Sequence, residues 1–240
     1  MSYQIFTDDA AQALLAHNSM RDFDDVWSLK TEWFEAPNDA RGGWSGASRL
    51  ALDTPQGGTL AVFLKRQENH RTHSWRAPFG VPTFRREYEN IRTLRALGIP
   101  AVPALYYGEA HVDGRYRAAI ITVAMDDYLS LDLWLDENAD ATRRQDVLKA
   151  IADWAAEFSR RRLQHGCLYD KHILVRKAPA AARYTAADIS FIDLEKMRRR
   201  LTVRRAARSN IDQLVRRTRG CTAGEHRYLQ QAFGGALAQA

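Results

Sequence analysis

Residues 164–175 read QHGCLYDKHILV. His165 opens the stretch, and Ile173, Leu174 and Val175 close it as a short apolar run that reads as a buried strand. The polar residues between them include Cys167, Asp170 and His172, so ionisable groups sit on a loop anchored to a strand. A second short strand follows after a polar connection, ISFID at 189–193, and it ends in Asp193. A carboxylate at the end of an apolar strand is poorly solvated unless it meets a cation, so a metal ion is one reading. The other is a helix N-cap ahead of LEKM. Upstream, residues 142–163 (TRRQDVLKAIADWAAEFSRRRL) place Val147, Ile151, Trp154, Ala155 and Phe158 on one helical face.

Further towards the N-terminus three more features appear. RGGWSGAS (41–48) is a glycine-rich turn between strand-like runs, and Gly42, Gly43 and Gly46 leave backbone N–H groups open to an anion such as phosphate. Most such hairpin turns hold nothing. TLAVFLK (59–65) reads as a strand ending in Lys65, whose ordinary role would be to snorkel at the strand end. In TFRREYENIRTLRALGIP (83–100) the spacing of Phe84, Tyr88, Ile91 and Leu94 predicts an amphipathic helix that Gly98 and Pro100 stop. Glu87 falls three residues after Phe84 and four before Ile91, towards the apolar face, whereas Glu89 faces out. An inward glutamate calls for a cation, and Lys65 is the candidate; the alternative is a residue that merely borders the stripe. Residues 1–40 carry no motif, only a possible helix around DDAAQALLA (8–16).

Composition narrows the classes. With 240 residues, 45% hydrophobic and 27% charged, the chain suits one two-lobed domain or two small ones. No run approaches the roughly 18 apolar residues of a membrane helix. Two cysteines, Cys167 and Cys221, fit neither a zinc site nor a disulfide framework, so a cytoplasmic protein is expected. The net charge is +6, yet residues 196–219 alone hold ten basic residues and one acid, a net +9 that leaves −3 elsewhere. That local excess points to an anionic partner or to a solvated helix face. A nucleic-acid partner lacks the aromatic interleaving that would support it.

Glycine turn, strand lysine, helix glutamate, histidine loop and strand aspartate follow the order of a protein-kinase-like domain. RGGWSG, REYENIRTLRALGIP, HGCLYDKHI and FIDLEK together resemble the lipopolysaccharide kinase (Kdo/WaaP/InaA) family, its InaA branch most closely, from about Arg41 to Leu214. The resemblance implies an α+β, bilobal kinase-like fold: a small β-rich N-lobe with one regulatory helix over 41–125, and a mainly helical C-lobe over 126–240, after an N-terminal extension of 1–40. It implies ATP as phosphoryl donor, with Gly42, Gly43 and Gly46 near its phosphates and a hinge near Asp126 and Asp127. Lys65, paired with Glu87, would hold the α- and β-phosphates, and Asp193 would bind Mg2+ or Mn2+. His172 stands where kinases usually place a metal-binding asparagine, and would serve as a second ligand or orient Asp193.

The resemblance implies a catalytic loop of His165, Cys167 and Asp170, but Cys167 departs from the kinase pattern, which has a catalytic aspartate two residues after the histidine corresponding to His165. A thiol titrates near 8.5 and is a weak acceptor for a hydroxyl proton. Asp170 would compensate if the loop turned it inward; otherwise it is an exposed loop residue. Two functions therefore stay open. One is a kinase acting on a sugar hydroxyl of a lipopolysaccharide core or related glycolipid, met through Arg198, Arg199, Arg200, Arg204 and Arg205, with peripheral contact at the inner membrane surface. The other is a pseudokinase that binds ATP without transferring phosphate.

Overall fold

Strand β4 (Thr59–Glu68) organises the first half of the molecule, because its pleat sends successive side chains to opposite faces. Val62 and Leu64 are buried in a core completed by Leu15, Met20, Phe23 and Val26. Arg66 shares that face and lies over the Trp33 ring, donating to the carbonyls of Trp27 and Leu29 at 3.1 and 2.7 Å. Lys65 and Gln67 alternate to the other face. The Gln67 side-chain oxygen accepts from the Thr83 hydroxyl at 2.7 Å and from the Phe84 N–H at 3.1 Å. This caps the start of the helix over 83–96, satisfying an N–H that has no intrahelical partner.

In the computed structural model, which describes residues 2–74 and 77–239, this region is one of two compact units, Met1–Arg92 with Val102–Met125. The elements running up to Met125 are β1 (Ser2–Phe6), α1 (Asp9–His17), α2 (Phe23–Ser28), β2 (Glu35–Ala40), β3 (Gly43–Asp53), β4, β5 (Arg71–Ser74), β6 (Ala77–Pro82), α3 (Thr83–Ala96), β7 (Ala104–Val112) and β8 (Arg115–Val123). Six of the strands form an antiparallel sheet in the order β1-β7-β8-β4-β3-β2. The motif-poor residues 2–40 are built into this unit. β1 pairs with β7, and α1 and α2 start on Asp8 and Asp22, whose carboxylates accept from Ala11 and Asp25 N–H groups. The stripe expected on α3 is buried: Phe84, Tyr88, Ile91 and Leu94.

The second unit, Thr93–Ala101 with Asp126–Ala240, is mainly helical. After residue 126 it contains β9 (Tyr128–Ser130), α4 (Leu131–Glu137), α5 (Ala141–Arg160), β10 (Leu163–Gln164), β11 (Ile173–Arg176), β12 (Ile189–Phe191), β13 (Arg198–Arg199), α6 (Val203–Arg217) and α7 (Ala223–Ala238). Helix α5 buries every residue of its predicted face. Trp154 stacks on Phe158 and Phe191, with centroids 4.5 and 3.4 Å away. Arg144 ties α5 to α7 through Glu225 at 2.6 Å. Strands β9, β11 and β12 form a small antiparallel sheet in which Ile173 faces Phe191 and Val175 faces Ile189.

Candidate active site

In the first unit the inward glutamate meets its cation. Lys65 Nζ donates to Glu87 Oε1 at 2.8 Å, with the Glu87 side chain 3% exposed. The capping contact from Gln67 explains the match. It fixes the first turn of α3 against β4, and Glu87 comes one turn later, opposite the next inward residue of the strand. A carboxylate so buried is stable as a charge only while a cation pairs with it.

The glycine turn has a different explanation. Arg41 and Gly42 have φ of 56° and 80°, and Ala40 pairs with Gly43, which makes a two-residue hairpin loop with positive φ at both central positions. A Cβ on Gly43 would lie 2.0 Å from the Glu68 carbonyl oxygen, and one on Gly46 would lie 2.8 Å from the Trp33 ring. These glycines let β3 pass close to its neighbours. A cavity of about 480 Å³ beside the turn is lined by Asp39 and Glu68 and by no lysine or arginine, a lining that does not suit phosphate. Arg115 and Arg117 neutralise Glu68, at 3.0 and 2.8 Å.

In the second unit the 165–172 loop is held from within. His165 is fully buried, and its Nδ1 accepts the Cys167 N–H at 3.2 Å. Burial holds the imidazole down at about 4 against the nearby Asp193 charge, so the ring is neutral at physiological pH. A ring without exposed surface does not exchange a proton with an acceptor hydroxyl; His165 positions the loop, which corrects the expectation of a direct catalytic role. Helix α6 completes the support. Asn210 Oδ1 accepts from the His165 N–H at 3.2 Å while Asn210 Nδ2 donates to the Leu163 carbonyl at 2.9 Å, and Gln213 Oε1 accepts from Leu168 N–H at 3.0 Å. Gly166, at φ 86°, passes so close to Lys196 that a Cβ would lie 2.8 Å from its carbonyl oxygen.

Cys167 is 1% exposed. Burial pushes its thiol up, the Asp193 charge adds to that, and a hydrogen bond with the Lys196 side chain opposes both. The result is a neutral thiol between a carboxylate and an ammonium. Lys196 itself is raised: its contacts with Cys167, Glu195 and Asp193 outweigh the burial that disfavours its charge. Asp170 does not turn to this cluster. Its carboxylate accepts from Lys171 N–H at 2.9 Å and from Arg219 N–H at 3.2 Å, so it braces the connection between α6 and α7.

The pairing of β11 with β12 brings His172 to Asp193. Ile192 N–H donates to the His172 carbonyl at 3.1 Å, and His172 Nδ1 lies 3.5 Å from Asp193 Oδ2. That nitrogen donates to the Cys167 carbonyl at 2.8 Å, which leaves Nε2 as the ring's free lone pair in the neutral form. Asp193 adopts the left-handed conformation (φ 58°, ψ 52°) at the N-cap of a short 3-10 turn, yet its side chain caps nothing. The N-cap reading of this residue therefore falls away. Among the described residues no cluster of three or more His, Cys, Asp or Glu side chains could grip a metal unaided. Magnesium commonly takes one or two carboxylates plus substrate phosphates and water, and an uncapped Asp193 suits that.

Asp126 and Asp127 stand at the start of the second unit's long segment, where the Asp127 carbonyl accepts from Lys177 N–H at 2.8 Å. Of the arginines, Arg198 donates to Gln164 at 3.3 Å and Arg217 lies over the Tyr169 ring. Arg199, Arg204 and Arg205 are exposed and Arg200 is half-buried. Sequence reasoning missed Lys196, Asn210 and Gln213. Asn210 and Gln213 stand three apart as uncharged amides in an arginine-rich helix, a pattern that could have shown which face turns inward.

A six-stranded sheet with a lysine–glutamate pair, together with a helical unit carrying a His loop and a strand-end aspartate, defines a protein-kinase-like protein. The sequence profile of the lipopolysaccharide kinase (Kdo/WaaP) family matches residues 24–233, and the chain belongs to that family. Protein InaA of Escherichia coli K12 is 33% identical over 198 residues, which cover 80% of this chain and 86% of that one. A solved structure of WaaP in complex with acyl carrier protein shares the fold, with a TM-score of 0.64 at 19% identity over 98% of this chain and 95% of that one. The family's members are lipopolysaccharide kinases, so the chain is a phosphotransferase of that type. Among the described residues no helix is long and apolar enough to cross a membrane.

Proposed function

We propose that the protein transfers the γ-phosphate of ATP to a sugar hydroxyl of a lipopolysaccharide core or a related glycolipid, at the cytoplasmic face of the inner membrane. The observation that carries this reading is the Lys65–Glu87 ion pair, which holds an ammonium in place for the α- and β-phosphates. Asp193 would hold Mg2+ or Mn2+, with His172 orienting its carboxylate; when bound, the metal neutralises phosphate charge. Lys196, beside Cys167, adds a cation for the transferred group. Charge neutralisation and positioning do most of the work in phosphoryl transfer, so a weak proton acceptor at Cys167 slows the reaction without abolishing it.

The test is metal-dependent stabilisation by nucleotide followed by radiolabel transfer from ATP to delipidated core oligosaccharide. A hundredfold excess of ATP over its Kd should stabilise the fold by about 2.7 kcal/mol. A melting curve that ignores millimolar ATP and ADP, with metal present, overturns the reading. A second reading, an ATP-binding pseudokinase, is favoured by the burial of Cys167 and its neutral thiol. It predicts the ATP-induced shift with no transfer by wild type or by Cys167→Asp.

A further inference from the structure

Helix α6 separates two kinds of side chain. Ala206, Ala207, Asn210 and Leu214 are buried, while Arg204, Arg205, Arg208 and Arg216 face solvent. On the outer side Arg200, Arg205, Arg208, Ser209, Asp212 and Arg216 enclose a cavity of about 270 Å³. Four guanidiniums meet one carboxylate there. Asp212 lies 3.8 Å from Arg208, and its backbone carbonyl, not its carboxylate, takes Arg216 Nε at 3.0 Å. The cavity keeps a net positive charge that its own residues do not cancel. Its volume is just below the roughly 300–1,000 Å³ of sites for drug-sized ligands, a size for a phosphate-bearing headgroup.

The turn that enters this helix adds a second, independent feature. Leu201 is 77% exposed and Val203 38% exposed, with Arg200 before them and Arg204 and Arg205 after. Among the described residues Leu201 is the most exposed large hydrophobic side chain. An aliphatic tip set in a ring of arginines matches the interface of an anionic bilayer, where the charges meet headgroup phosphates and the apolar tip meets acyl chains. Nucleic acid is disfavoured by the same residues, because the cavity lining has no aromatic ring for a base to stack on.

We propose that the turn 200–203 and the outer face of α6 form a membrane-docking surface that seats a lipid phosphate among Arg200, Arg205, Arg208 and Arg216 and lays Leu201 into the bilayer. This deepens the proposed glycolipid contact and rests on it. The surface would hold the protein against the bilayer that presents its acceptor.

Flotation of the full chain with vesicles of phosphatidylcholine alone, and of phosphatidylcholine mixed with phosphatidylglycerol, tests this at several salt concentrations. Binding should require the anionic lipid and weaken steeply with salt. Replacing Arg205, Arg208 and Arg216 by glutamine should weaken it about fivefold per arginine and flatten the salt dependence. L201S should weaken it about tenfold at every salt concentration. R183Q, on an exposed arginine outside this surface, should change nothing. ATP-induced stabilisation, measured on the same proteins, separates this proposal from the kinase reading: variants that lose vesicles but keep the nucleotide shift support the surface as a distinct device. Binding that ignores the arginine and leucine changes, or binding of single-stranded RNA without vesicles, overturns it.

Discussion

The Lys65–Glu87 pair and the 165–172 loop match the kinase order of residues to different degrees. The pair is complete, with an inward carboxylate and an ammonium at 2.8 Å. The loop keeps its histidine, its strand and its link to Asp193, but has Cys167 where a proton acceptor is expected. Preorganised charge usually contributes more to catalysis than any other single effect, and losing one such group costs about 10²–10³-fold or more. A general base contributes about 10²–10⁴-fold and contributes least where the transition state is loose.

The comparison breaks first at Lys65. Lys65→Ala should reduce phosphotransfer by about 10³-fold and remove the ATP-induced shift, measured by radiolabel transfer and thermal melting. It should also destabilise the fold by about 3 kcal/mol, since Glu87 is left charged and buried. Replacing both residues, Lys65→Met with Glu87→Leu, should recover stability but not nucleotide binding. Next in size, Asp193→Asn should cost about 10²-fold in transfer and abolish metal dependence with the fold kept, because this side chain caps no helix.

The loop is sharpened by a gain. Cys167→Asp should raise transfer about tenfold, less than a full general base supplies, because the new carboxylate enters a buried position beside Asp193. Lys196→Met should cancel that gain. Cys167→Ala should stay within about twofold of wild type, and Asp170→Asn should leave transfer unchanged, since Asp170 serves the Arg219 backbone. A loss on Asp170→Asn with the fold intact would show that Asp170 reaches the acceptor after all.

A pH-dependent effect is expected at His165. Its folded value is depressed to about 4 from the ordinary 6.5, so the unfolded chain takes up the proton first. The neutral ring therefore contributes stability that is fully present above pH 6.5 and is lost as pH falls to about 4, on the order of 3 kcal/mol. His165→Gln should flatten the melting temperature across that window.

Much of this was legible in advance where the signal is local. The apolar periodicities of 84–94 and 147–158 read out α3 and the buried face of α5, because a helix brings residues three and four apart together whatever surrounds it. Glu87 and Lys65 could be matched because a buried carboxylate has few ways to be satisfied. Other features were not legible. Gly43 and Gly46 looked like an anion cradle, yet their cause is contact with Glu68 and Trp33, residues remote in sequence. The orientation of Asp170 depends on Arg219, 49 residues away.

The sequence by itself determined the family, the order of the chemical groups and the substitution at Cys167, because residue identity and spacing are written in the chain. The tertiary structure decided which face each group serves. It turned His165 into the loop's internal support, set Lys196 against Cys167, left Asp193 uncapped, and divided the arginines between those that brace the loop's surroundings and those that line a cavity. The physical reason is that hydrogen-bond partners and burial are set by contacts between segments far apart in the chain, which spacing along one segment does not encode.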